Sequence, residues 1–182
     1  MLPLRLSLPW LLRSRLRVLP LLCRGFTLIE LMVTLAVLAM LLLATVPLAA
    51  DWIHSAQTRD AHGKLVRSYG TTKALALRNP LGAPAGTVAA GLRLEMDGAV
   101  VRLLVCLGDP ANASSCTPGH TRVLATANYP ATVSTALNGT TLASGVALVV
   151  ALDNRGALLL PASTAYTLTR GGSQNNETGT LQ

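Results

Sequence analysis

Glu30 is the side chain whose surroundings demand most of it. It is the one acidic residue before Asp51, and residues 31–50 between them carry no charge. Twenty helical residues rise roughly 30 Å, the thickness of the hydrocarbon core of a bilayer. A carboxylate drawn into that core costs about 2–3 kcal/mol or more, so Glu30 asks for a positive partner. Upstream, the small Gly25 precedes the bulky Phe26 in Arg24-Gly25-Phe26-Thr27-Leu28-Ile29-Glu30. Elsewhere the reactive residue types do not assemble into a catalytic pattern. His54, His62 and His120 form no H-E-x-x-H, and no serine lies in a G-x-S-x-G setting. No glycine loop has the form of a phosphate cradle, so no enzyme activity, cofactor or metal is expected. His54 and His62, eight apart on one helix face, read as surface histidines.

Charge decides where the chain sits. The formal net charge is +7 with a pI near 10.2, a balance that in a soluble protein would point to nucleic acid. Here Arg5, Arg13, Arg15, Arg17 and Arg24 put +5 into residues 1–25, which hold no acid, leaving +2 for the rest. The high pI is therefore a property of the first segment. Arginines before the apolar run and Asp51 directly after it set residues 1–25 on the cytoplasmic side and everything beyond Ala50 outside. Cys106 and Cys116 then form an even pair in an oxidising compartment, while Cys23 lies in the basic first segment on the cytoplasmic side. His120 alone cannot complete a metal set with them. Closing their short loop as a disulfide is worth roughly 3 kcal/mol.

The elements that must position these residues are few. Residues 26–79 read as one long helix, its first half in the membrane, with Pro47 near the end of the span as a kink point. Leu65, Tyr69, Thr72 and Ala76 recur at helical spacing and mark the face that packs. Trp52, Ile53 and Ala56 form a separate apolar patch just past the span. Asn79-Pro80 and the glycines and prolines that follow end the helix. Beyond residue 86 the pattern becomes that of strands: 92–96, 99–107, 121–126, 132–137, 141–143, 146–152, 157–160, 166–169 and 180–182. Asp97-Gly98, Asn138-Gly139 and residues 153–156 supply turns, and residues 171–179 read as a polar loop. The expectation is an α+β fold, a long N-terminal helix packed on an antiparallel β-sheet. Its segments are a basic leader (1–25), a membrane helix (26–50), an outer helix half (51–80) and a C-terminal β domain (81–182).

Gly25-Phe26-Thr27-Leu28-Ile29-Glu30, bordering a membrane-length run, resembles the processing site of type IV pilins and type II secretion pseudopilins. The resemblance implies a pilin-like fold and a prepilin peptidase that cuts after Gly25 and methylates the new amino group of Phe26. It implies that Glu30 meets the terminal amine of a neighbouring subunit, and that Pro47 lets the helix stretch or melt locally in a filament. Residues 74–79, 153–156 and 178–182 further resemble the FimT/GspH group of minor pilins and pseudopilins. Members of that group that bind DNA for uptake carry arginines in the closing strand, where this chain has Thr180, Leu181 and Gln182.

The expected function is that of a structural subunit of a type II secretion pseudopilus or a type IV pilus. The partners implied are other pilin subunits, the peptidase and methyltransferase, and the bacterial inner membrane. The alternative is a pilus-tip module that captures DNA, which needs clustered cations. The cations beyond Ala50 are dispersed, and only Arg155 and Arg170, both in expected loops, offer themselves as a pair. Nucleic acid is therefore not favoured as a partner.

Overall fold

The computed structural model describes residues 26–171 and 176–182, with residues 46–49 described by their backbone alone. The leader, including Gly25, Cys23 and the five arginines, lies outside the described residues. Among the described residues one helix, α1 (Leu28–Arg78), is followed by nine strands. The chain divides into two compact units, Met1–Leu43 and Ala44–Gln182.

In the second unit the strands are β1 (Val88–Asp97), β2 (Val100–Leu107), β3 (Val123–Pro130), β4 (Ser134–Leu137), β5 (Thr140–Thr141), β6 (Leu148–Asp153), β7 (Leu158–Leu160), β8 (Ala165–Thr169) and β9 (Asn176–Thr180). They form two antiparallel sheets where the sequence suggested one: β3-β2-β1-β6-β7 and β5-β4-β8-β9. The division arises because β6 pairs with β1, far away in the chain, whereas β4 pairs with β8. Local patterning reports hairpins and does not report which distant strands meet.

The three turns expected from sequence are present. Gly98 takes a positive φ of 59° between β1 and β2, and Asn138 and Gly139 take 49° and 78° between β4 and β5. Two positive φ values in a row are what a two-residue hairpin of type I′ needs. Asp153 closes the third turn, its carboxylate accepting the backbone N–H groups of Arg155 and Ala157 at 2.9 and 2.8 Å. Several boundaries differ from expectation: β1 already begins at Val88, four residues ahead of the expected start, and β4 and β6 each begin two residues late. β3 begins later and runs on to Pro130, its alternating exposure marking an edge strand. The closing strand is β9, already under way at Asn176, with Glu177 opposite Leu168 and Gly179 opposite Tyr166. Its polar sequence carries no apolar alternation, so a pattern search reads it as loop.

The helix enters the core by one stripe. Leu65, Tyr69, Thr72 and Ala76 are buried, the spacing read from sequence, and Ala61 extends the stripe by one turn. The apolar members of the stripe share a single cluster with Leu92, Leu94, Leu103, Val105 and Val150 of the larger sheet and with Leu137, Tyr166 and Leu168 of the smaller. Each fully buried leucine contributes about 1.5–3 kcal/mol. Asn79 caps the helix at a φ of 43° while its side-chain amide bonds both backbone groups of Ala83, at 2.7 and 2.9 Å. That residue type tolerates the left-handed conformation that ends a helix.

On the other face of β1 and β2, the loop between Cys106 and Cys116 folds back over the sheet. Cys106, Cys116 and Leu104 are buried there as a second small cluster. Pro110 lies directly on Gly91, where an added Cβ would sit 2.7 Å from the proline Cβ. Only glycine allows that approach.

Candidate functional site

The segment around Glu30 begins with Thr27. The Thr27 hydroxyl accepts the Glu30 N–H at 3.2 Å, and its carbonyl accepts the Leu31 N–H at 3.1 Å. Thr27 is thus the N-cap of α1, and Thr27-Leu28-Ile29-Glu30 has the spacing of a capping box. A carboxylate in the first helical turn also faces the positive end of the helix dipole. Thr27 was not singled out from the sequence, although the T-x-x-E spacing ahead of an apolar run was its signal. Among the described residues, nothing donates to the Glu30 carboxylate and no cation meets it.

Beyond Glu30 the helix is apolar on every side. Met40 and Leu43 are about three-quarters exposed, and Met32, Leu41 and Leu42 are well over half exposed. The Thr34 hydroxyl donates to the Leu31 carbonyl at 2.9 Å, which removes a polar atom from the surface of the run. An amphipathic helix of a soluble domain keeps a polar face, whereas one apolar all round belongs in a protein core or a bilayer. The α1 sequence contains a stretch long and apolar enough to cross a membrane, and that stretch is entirely unburied by the protein itself. The backbone through Pro47 is helical.

Residues 22–46 match the family model of the prokaryotic N-terminal methylation motif. This is a type IV pilin-like prepilin signal. The motif takes in Gly25, Phe26 and Glu30 and ends inside the apolar run. No curated protein and no solved structure shows significant similarity to the chain.

The remaining candidate residues lie apart from the motif. Cys106 and Cys116 are disulfide-bonded, with Cα atoms 5.6 Å apart. Arg155 and Arg170 are not brought together. Arg155 adjoins Gly156, where an added Cβ would lie 3.4 Å from the Lys73 and Leu77 side chains. Arg170 precedes Gly171, which lies against the His54 ring, and its guanidinium donates to the Thr132 hydroxyl at 2.6 Å. His54 and Lys73 are separated by about 28 Å of helical rise. The two arginines therefore sit at opposite ends of the outer helix half.

The histidines are not the surface residues expected. His54 and His62 are half-buried, and the His62 ring stacks on Tyr166 of β8 at a centroid distance of 5.6 Å. Among the described residues, no group of three or more His, Cys, Asp or Glu could hold a metal ion. A depression of about 270 Å³ on the outer face of β1 and β2 is lined by Arg93, Glu95, Asp97 and Arg102. Its charges satisfy one another, as Arg93 pairs with Glu95 at 3.1 Å and Arg102 with Asp97.

Proposed function

We propose that this chain is a structural subunit, a minor pilin or pseudopilin, of a type II secretion pseudopilus or a type IV pilus. It enters the bacterial inner membrane with residues 1–25 in the cytoplasm and the β domain in the periplasm. Prepilin peptidase cuts after Gly25, and Phe26 becomes the methylated amino terminus. The observation that carries this reading is the N-terminal methylation motif at residues 22–46, set on an apolar helix whose Glu30 has no partner among the described residues.

Its physical logic is charge compensation. An unpaired carboxylate and an unpaired amine are each costly in low dielectric, while a well-placed pair offsets much of that cost. Glu30 of one subunit meets the Phe26 amine of the next, and the pairing fixes their axial stagger. Cap geometry favours this use, because the Thr27 hydroxyl and carbonyl hold the first helical turn and leave the Glu30 side chain available. Capture of DNA at a tip is the weaker reading, since its two candidate arginines stand far apart.

Glu30→Ala tests the role of the carboxylate. The variant is expected to insert and be cleaved as the wild type is, yet to be absent from filaments recovered by shearing and immunoblotting. Wild-type incorporation of Glu30→Ala contradicts the pairing.

A further inference from the structure

We infer that Trp52, with Ile53 beside it, is an interfacial anchor that seats in the headgroup layer of the outer membrane leaflet and fixes the depth of the helix. This rests on the membrane-span reading of residues 31–50. Glu30 and Asp51 bracket that run in sequence, and twenty helical residues rise about 30 Å, the thickness of a hydrocarbon core. The lengths match, so sliding far in either direction would draw one carboxylate into hydrocarbon. Trp52 follows Asp51 directly and so falls in the layer of lipid headgroups.

The domain does not cover this side chain. Trp52 is 75% exposed and Ile53 47% exposed. At 3.6 residues per turn, Trp52 points half a turn away from Ala61, a buried member of the stripe that packs on the sheets. It shares its own stripe with exposed Ala56, Arg59, Gly63 and Gly70. Among the described residues its indole N–H makes no hydrogen bond. A large apolar body with one outward donor suits the boundary where acyl chains give way to wet headgroups. The position of this patch, two residues past the apolar run in sequence, names lipid as its occupant, ahead of a second copy of the chain.

The chain has two tryptophans, so Trp10→Phe leaves Trp52 alone as a fluorescent reporter. The full-length variant is reconstituted at low density in phosphatidylcholine vesicles carrying bromine at chosen acyl depths. Trp52 emission is expected to lie to the blue of free tryptophan, to be several-fold less sensitive to acrylamide, and to be quenched most by bromines nearest the headgroup. A second reporter, Leu41→Trp in a Trp10→Phe, Trp52→Phe background, should be quenched most by the deepest bromines. This second reporter is the control for insertion: with Leu41→Trp quenched and Trp52 water-exposed, the anchor is overturned while the span stands. If Leu41→Trp itself escapes quenching, the span reading fails and the anchor with it. If Trp52 is shielded from acrylamide yet untouched by any brominated lipid, another protein copy covers it and the lipid assignment is overturned.

Discussion

Tyr129 is almost fully buried, and its hydroxyl shares a 2.6 Å hydrogen bond with the Thr135 hydroxyl. Burial pushes the phenol up from 10.0 to about 12, against the opposing pull of the Thr135 bond. An unfolded chain therefore gives up this proton near pH 10, while the folded chain holds it until about pH 12. Stability is whole below pH 10 and falls as pH rises through that window, by about 3 kcal/mol from this group. Tyr129→Phe should remove that part of the alkaline loss, at the cost of about 1 kcal/mol near neutrality for the missing hydrogen bond. Urea unfolding of the full chain in detergent, at about pH 8 and about pH 11, measures both effects. The residues of the N-terminal motif were legible because Gly25, Phe26 and Glu30 stand close together in sequence. The Tyr129–Thr135 pair was not, because nothing in a phenol or a hydroxyl announces that folding will bury it.

At the scale of elements, α1 carries a reserve of stability. Gly63 and Gly70 lie in the helix interior, and a Cβ added at either would meet nothing within 4 Å. Glycine costs about 1 kcal/mol relative to alanine in such positions. Gly63→Ala and Gly70→Ala should each stabilise the chain by about that amount, read as a raised midpoint of thermal or denaturant unfolding. The packing stripe of the helix could be read in advance, since Leu65, Tyr69, Thr72 and Ala76 obey a period fixed by backbone geometry. Turns were legible for a similar reason: Asp-Gly and Asn-Gly carry their own conformational preference. The closing strand was not legible, because Asn176–Thr180 is held by its ladder with β8 and not by apolar side chains. Nor could the sequence foretell that β6 would join β1 and so divide the strands into two sheets.

At the scale of the whole molecule, the function proposed above has the apolar helix insert and polymerise while the disulfide-closed β domain lies outside the membrane. The cations of the β domain are dispersed: Arg155 and Arg170 lie at separate ends of the outer helix half, and Arg93 and Arg102 are engaged by Glu95 and Asp97. That separation lay beyond sequence reasoning, which could place both arginines in loops but could not measure the helix between them. The motif at residues 22–46 gives the account its most direct test. Mass spectrometry of the protein purified from cells that process prepilins should find an amino terminus at Phe26 carrying one added methyl group. An intact Met1 start, or a terminus created beyond Ala50, would contradict it.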